Sequence, residues 1–278
     1  MERVAVIKSN YTPFGGGEKY AKAVITAFLE KGYEVDVITA SKEDWAEKGV
    51  NKIKIPTAAY NNFLRLYSFN KNCYEFFSKN FGKYKVILDM DRTVFATHIR
   101  AGGGSHKGWL ERRSQFASFL KNLSFKINPF HNYMLKLERK SLENPHLRAL
   151  ICNSHMVKKE FLEYYNFDSN KIFVVHNGVE WHNFELPFQE SLYNKNEIKK
   201  NIGLDDRFWL LYVGSGYERK GLAFIINALS NMENDYCLAV VGKDRNENYY
   251  KQLVIRKNMG KRVKFFGPQK KVIRFLQS

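Results

Sequence analysis

The stretch of residues 210–222 reads Leu-Leu-Tyr-Val-Gly-Ser-Gly-Tyr-Glu-Arg-Lys-Gly-Leu. An apolar run typical of a buried strand ends at two glycines, and two cationic residues then lead into an apolar run typical of a helix. Gly214 and Gly216 allow a tight turn, and the start of a helix offers backbone N–H groups that lack partners. With Arg219 and Lys220 beside them, this turn is suited to binding a diphosphate. A solvated surface pair of cations is the competing interpretation.

The first half of the chain alternates strand and helix patterns. An apolar strand pattern at residues 3–9 precedes a helical pattern at 18–31, and a second strand pattern follows at 33–39. Such a βαβ unit predicts a parallel sheet. Further strands are predicted at 52–55, 86–89, 149–153 and 171–176.

A second alternating series begins at residue 208, after a polar stretch with little apolar periodicity and a helix-like pattern at 192–201. We therefore predict two Rossmann-like α/β domains, residues 1–182 and 183–278, that face each other across a cleft. The predicted elements of the second series are strands at 208–213, 237–241 and 263–266 and helices at 221–231, 246–257 and 270–277. Three strands are few for a doubly wound domain, so we expect the second domain to be incomplete and the chain to be truncated.

The charge of the chain is large and unevenly distributed. The formal net charge is +17 over 278 residues, which indicates an anionic partner or surface. Residues 100–159 contain twelve Lys or Arg and three acidic residues, so this segment alone carries +9. It is expected to form a basic surface patch.

Cysteine usage and hydropathy bear on the location of the protein. Cys73, Cys152 and Cys237 are scattered, with no CxxC pair, and predict buried thiols in a reducing compartment and no cysteine metal site. No apolar run is long enough to cross a bilayer, and no secretory signal is visible before the first strand. We expect a cytoplasmic protein.

Two further glycine runs follow predicted strands. The run 15–17 precedes the first predicted helix, and its lack of side chains would let a ligand approach the backbone amides of Gly16 and Gly17. A flexible turn is the competing interpretation, and the GxGxxG spacing is absent. The run 102–104 ends close to His106, whose imidazole could exchange hydrogen bonds with a substrate near neutral pH.

Aromatic and basic residues recur at helical spacing after His106. The apolar positions are Trp109, Phe116, Phe119, Leu120 and Leu123, and the basic ones include Arg112, Arg113 and Lys121. A basic amphipathic segment of this kind suits an anionic membrane surface. An ordinary helix that packs on the core is the competing interpretation. Nucleic acid is not expected as a partner, because the chain contains no zinc finger, RNP, KH or basic-tail pattern.

Five segments in the same order resemble family 4 glycosyltransferases of GT-B architecture, and among them the lipopolysaccharide core glucosyltransferase I group. They are Phe14–Lys19, Arg100–His106, Ala149–Lys158, Val174–Val179 and Tyr212–Gly221. The resemblance implies retaining transfer of a sugar from a nucleotide donor, typically UDP-glucose, to a heptose of the lipopolysaccharide core. It also implies that no metal or other cofactor is needed.

The resemblance also implies roles for particular residues. Arg219 and Lys220 would neutralise the departing diphosphate, and Gly214 and Ser215 would belong to the same nucleotide site. Gly16 and Gly17 would contact the donor, and His106 would lie near the transferred sugar. The basic segment would meet the inner face of the inner membrane, so that the protein is peripherally associated with it.

One feature of the family does not match. Its donor-binding motif, a glutamate followed after seven residues by a second one, would fall beyond Ser278, so no glutamate here is assigned that role. We therefore expect impaired donor binding and doubtful activity. A nucleotide-sugar epimerase on the same scaffold and a non-catalytic, membrane-associated fragment stay open as alternatives.

Overall fold

The protein forms two compact α/β units. The structure is a computed structural model that describes residues 1–10, 16–41, 49–58 and 60–278. The units comprise Met1–Asn177 and Gly178–Ser278, a division that falls a few residues before the boundary predicted at 182/183. Each unit contains its own parallel sheet, as the sequence predicts.

The first unit has a seven-stranded parallel sheet within its described residues. Its strands are β1 (Arg3–Ile7), β2 (Glu34–Thr39), β3 (Val50–Lys54), β4 (Val86–Asp89), β5 (His98–Ala101), β6 (Ala149–Cys152) and β7 (Ile172–Val174). Its helices are α1 (Gly16–Glu30), α2 (Asn62–Asn80), α3 (His106–Ser114), α4 (Phe119–Ile127), α5 (Pro129–Leu142) and α6 (His155–Tyr164).

The strand order places a ligand-binding crevice at one edge of this sheet. The order is β3-β2-β1-β4-β5-β6-β7, so the chain runs outward from β1 on one side and then returns to its other side at β4. Open parallel sheets bind ligands beyond the carboxyl ends of the strands at such a reversal. The residues that directly follow Ile7 of β1 and Asp89 of β4 therefore lie at the expected position.

Strand β1 is buried on both of its faces. Val4 and Val6 pack with Ala21 and Ile25 of α1, whereas the alternate residues of the strand pack with α2. Residues Val4 to Ile7 are all fully buried. This is the environment of a central strand in a parallel sheet that is covered by helices on both faces.

The second unit has a three-stranded parallel sheet of order β10-β9-β8. Its elements are α7 (His182–Asn201), β8 (Phe208–Val213), α8 (Leu222–Leu229), β9 (Tyr236–Val241), α9 (Glu247–Arg256), β10 (Val263–Gly267) and α10 (Ile273–Leu276). Its core contains Tyr217, Ile226, Val240 and Tyr250, so the turn after β8 contributes a side chain to the core.

The structure differs from the sequence predictions at three places. Strand β5 and helix α2 were not predicted, and the stretch before the second series is a helix, α7, rather than mostly a linker. The amphipathic pattern 109–123 forms two helices instead of one, because the chain leaves helical geometry after Ser114 and restarts at Phe119. Cys73, Cys152 and Cys237 are buried and free, as expected.

Candidate functional site

The predicted site residues fall into two groups, one in each unit. The first unit holds Gly16, Gly17 and His106, and the second holds Gly214, Ser215, Arg219 and Lys220. Each group lies at the carboxyl edge of its own sheet, because the residues follow β1, β5 and β8.

Glycines with positive φ follow or end all three strands of the second sheet. They are Gly214 (φ 144°), Gly242 (φ 141°) and Gly267 (φ 66°). A Cβ atom on Gly242 would lie 2.1 Å from the carbonyl oxygen of Gly214. The strand ends therefore approach each other backbone to backbone, which only glycine allows. This packing fixes the position of the turn 214–221.

Lys220 is anchored on the glycine turn. Its Nζ donates a hydrogen bond to the carbonyl oxygen of Val213 at 3.1 Å. A Cβ atom on Gly214 would lie 2.0 Å from this Nζ, so the lysine chain occupies the space that glycine leaves free. An ammonium group has three donors, and one of them is used here. Lys220 is thus held in place while it remains exposed to solvent.

Arg219 and Ser215 are also exposed on this turn. The Nε atom of Arg219 lies 3.6 Å from the position that a Cβ on Gly216 would take. Within the part of the chain that the structure describes, neither Arg219 nor Lys220 forms an ion pair with a carboxylate. Two cationic groups on one short turn can therefore neutralise an incoming dianion.

Asp244 already occupies some of the turn's backbone donors. Its carboxylate accepts hydrogen bonds from the amides of Tyr217 at 2.9 Å and of Asn246 at 2.8 Å. These bonds and one from the Gly216 amide lower the pKa of Asp244 below its usual range. The amide of Leu222, at the start of α8, donates to the carbonyl oxygen of Tyr217.

The expectation that unpaired amides of the turn would bind the diphosphate is therefore only partly correct. Asp244 fills part of that amide cluster, and the cationic side chains supply the accessible donors. The sequence did not predict a role for Asp244, although it lies only two residues after Gly242, which follows β9.

The first glycine run lies partly outside the described residues. Gly15 is among the residues that the structure does not describe, whereas Gly16 and Gly17 begin α1 and are exposed. A Cβ on either glycine would meet no atom within 4 Å. Packing inside the described part of the unit therefore does not require glycine at either position.

The second glycine run accommodates two charged side chains. A Cβ on Gly102 would lie 2.0 Å from Nη1 of Arg100, and one on Gly104 would lie 2.9 Å from Oε1 of Glu160. Gly104 also has a φ of 81°. Gly102 and Gly104 therefore make room for the side chains of Arg100 and Glu160.

Two buried glutamates hold the start of α3. Glu160 accepts hydrogen bonds from the amide of Ser105 at 2.6 Å and from its Oγ at 2.8 Å. Glu138 accepts a hydrogen bond from the backbone amide of His106 and forms a salt bridge with Nε of Arg92 at 3.0 Å. Negative charge is stabilising at a helix N-terminus, and buried carboxylates need such donors. Neither glutamate was predicted, since they lie 55 and 32 residues from their partners in sequence.

His106 lies in an aromatic cluster and is almost fully buried. Its ring stacks on Trp109 at a centroid distance of 5.5 Å, and its Nε2 lies 3.1 Å from Nδ1 of His131. Burial, followed by the charges of Arg92 and His131, lowers the pKa of His106 to about 4. The imidazole is therefore neutral at pH 7 and can act by hydrogen bonding but not by charge. Its contact with the transferred sugar stays a prediction.

A half-open pocket of about 230 Å³ lies at the carboxyl edge of the first sheet. Ser9, Asp91, Arg65 and Phe130 contribute to its lining. Asp91 pairs with Lys8 at 3.0 Å and so bridges the ends of β1 and β4. The pocket lies beside the reversal in strand order, where ligands bind in sheets of this type.

Helix α4 exposes most of its apolar residues. Phe119, Leu120 and Ile127 are 80, 76 and 70 % exposed, and Phe116, just before the helix, is 91 % exposed. No residue of α4 is buried. The competing interpretation, a helix that packs its apolar face on the core, does not hold for this segment.

The described ranges also bear on metal binding and on membrane insertion. They contain no group of three or more His, Cys, Asp or Glu residues that could hold a metal ion. No helix among them has both the length and the apolar character needed to cross a bilayer.

Comparison with protein families identifies the chain. A family model described as Glycosyltransferase Family 4 matches residues 14–181, and one described as Glycosyl transferases group 1 matches residues 194–278. The chain belongs to glycosyltransferase family 4. It is therefore an enzyme of the hexosyltransferase type, with the GT-B-like α/β sheets that its sequence predicts.

Similar proteins of known sequence or structure agree with this assignment. An uncharacterized glycosyltransferase of Methanocaldococcus jannaschii, MJ1607, is 24 % identical over 281 residues, which cover 95 % of this chain and 69 % of the relative. WaaG, a glycosyltransferase involved in lipopolysaccharide biosynthesis, is 20 % identical with a TM-score of 0.82, over 98 % of this chain and 72 % of WaaG. Anabaena HepE in complex with UDP and glucose is 14 % identical with a TM-score of 0.66, over 99 % of this chain and 72 % of HepE.

Proposed function

We propose that this family 4 glycosyltransferase transfers glucose from UDP-glucose to a heptose of the lipopolysaccharide or lipooligosaccharide core, with retention of the anomeric configuration. The likeness to WaaG, whose description names lipopolysaccharide biosynthesis, supports the acceptor class. The likeness to HepE, which was solved with UDP and glucose, supports the donor.

The placement of Lys220 is the observation that carries this proposal. Its ammonium group is fixed to the end of β8 by Val213 and lies beside the exposed Arg219. Loss of a nucleoside diphosphate from the sugar leaves a dianion, and a preorganised cation stabilises that charge as it develops. Two side-chain cations would serve this purpose without a metal ion. Gly214 and Ser215 would complete the nucleotide site.

Residues of the first unit are proposed to contact the transferred sugar and the acceptor. The backbone amides at Gly16 and Gly17, at the start of α1, would donate to the sugar or phosphate of the donor. His106, neutral at pH 7, would accept or donate a hydrogen bond near the sugar. The pocket that Asp91 and Arg65 line has polar groups suited to the hydroxyl groups of an acceptor.

The direct test is a transfer assay with a heptose-containing core acceptor and UDP-glucose. We expect release of UDP together with an acceptor one hexose larger, linked in the α-configuration of the donor. The same incubation without acceptor separates the epimerase alternative, which would convert the UDP-sugar into its epimer. An epimerised donor, or no new glycoside in the complete mixture, would contradict the proposal.

A second proposal concerns the location of the protein. We propose that α4, together with Phe116, docks on an anionic membrane surface. The enzyme would then lie at the cytoplasmic face of the inner membrane. The exposed aromatic and aliphatic residues would enter the interface between headgroups and acyl chains, while Lys121 and Lys126 of the same helix would meet acidic headgroups.

Replacing Phe116, Phe119 and Leu120 by serine is expected to abolish most vesicle binding. Burying one large apolar side chain contributes about 1.5–3 kcal/mol, so loss of three predicts a decrease in partition coefficient of at least about tenfold. Sedimentation with vesicles that contain anionic lipids measures the partition coefficient. The control replaces Tyr249 and Ile255, which are similarly exposed on α9. An equal loss in both variants would contradict docking through α4.

A further inference from the structure

Arg100 carries a charge that no described residue neutralises. It lies at the end of β5 and is partly buried. Its Nη2 donates to Oδ1 of Asn177 at 2.9 Å, and this is its one side-chain hydrogen bond within the described ranges. No acidic residue in those ranges lies within ion-pair distance of it. A guanidinium group has five N–H donors, so four of them have no hydrogen-bond partner among the described residues.

Three neutral groups hold this guanidinium in one orientation. Its Cζ lies 3.6 Å from the centre of the Tyr20 ring, a stacking contact with α1. The missing side chain of Gly102 leaves the space that Nη1 fills. The carbonyl oxygen of Gly102 is itself fixed by a hydrogen bond of 2.8 Å from Nδ2 of Asn153. Arg100 is therefore preorganised by Tyr20, Gly102 and Asn177 of the first unit.

The described residues around this group leave space beside it at Gly103. Gly103 is exposed, and a Cβ atom there would meet nothing within 4 Å. Tyr20 is four residues after Gly16, one turn along α1 from its first residue. A partly buried cation without a counter-ion is unfavourable, and an arginine that is held flat presents the paired donors that match phosphate oxygens.

We propose that Arg100 binds a phosphate group carried by a substrate. This inference rests on the proposed function, because that function supplies phosphate-bearing substrates. The phosphate belongs either to the nucleotide donor or to a phosphorylated core acceptor. In both cases the guanidinium orients the substrate at the carboxyl edge of the first sheet.

Direct binding measurements distinguish the two sources. UDP-glucose, a phosphorylated core oligosaccharide and the same oligosaccharide after phosphatase treatment are titrated calorimetrically into the wild type and Arg100→Gln. We expect the dissociation constant of either UDP-glucose or the phosphorylated oligosaccharide to rise about 10- to 100-fold, which is the usual effect of losing a charged hydrogen bond. For Arg100→Lys the dissociation constant should rise less than for Arg100→Gln, because lysine retains the charge but not the paired donors.

Controls separate ligand binding from a structural role. Arg148 is exposed and precedes β6, at the opposite edge of the sheet, so Arg148→Gln should leave all dissociation constants unchanged. A purely structural Arg100 would lower the melting temperature of Arg100→Gln without weakening binding by its folded form. That result overturns this inference and leaves the proposed function intact. A wild-type protein that binds none of the ligands would overturn both.

Discussion

Replacing Lys220 by alanine is expected to lower kcat by a factor of about 100 to 1,000, the usual effect of removing a donor that stabilises developing negative charge. The Nζ atom is fixed by the carbonyl oxygen of Val213 and lies over Gly214, so the substitution removes a positioned cation from this strand end. Because the diphosphate gains charge as the glycosidic bond breaks, kcat should decrease more than the affinity for UDP-glucose. Steady-state kinetics with UDP-glucose and a core acceptor measure both.

Lys257 provides a matched control for this substitution. It is exposed and follows α9, and Lys257→Ala removes the same charge from the same unit. Its turnover should equal that of the wild type. Circular dichroism should show both variants folded. Equal turnover of Lys220→Ala and Lys257→Ala would contradict the role assigned to Lys220.

Replacing Gly242 by alanine is expected to destabilise the second unit by about 3 kcal/mol or more. The φ of 141° is a conformation that alanine rarely adopts, and its Cβ would lie 2.1 Å from the backbone oxygen of Gly214. Backbone strain and overpacking each cost about 1–3 kcal/mol. For a unit of this size the thermal transition should shift downward by more than about 10 °C. Differential scanning calorimetry measures this shift.

Gly260 offers the corresponding control. A Cβ atom there would contact nothing within 4 Å, and its φ is not positive. Gly260→Ala should therefore leave the transition temperature unchanged or raise it slightly. If Gly242→Ala were as stable as Gly260→Ala, the close approach of the strand ends could not be what fixes the turn 214–221.

The regular part of the fold could be predicted from local patterns. Buried parallel strands such as Arg3–Ile7 and Tyr236–Val241 are continuous apolar runs, and glycines mark the turns that follow them. Strand β5 was missed because its sequence, His-Ile-Arg-Ala, is short and half polar. It is a strand because it lies between β4 and β6, and local propensity does not report that position.

The cationic turn could be predicted, but most of the network around it could not. Arg219, Lys220 and the glycines are neighbours in sequence, so their shared chemistry is visible there. The contact between Arg100 and Asn177 joins residues 77 positions apart, and Asp244 reaches the turn from the next strand. Such partners are set by sheet register, which one sequence does not reveal.

Binding of UDP in the presence of EDTA tests the central claim most directly, namely that protein cations alone hold the diphosphate. Calorimetric titration should show one UDP bound per chain, with no more than about a twofold gain on adding Mg²⁺, and Arg219→Ala/Lys220→Ala should bind at least about tenfold more weakly. UDP binding that requires Mg²⁺, or that is unchanged in the double variant, would contradict this account.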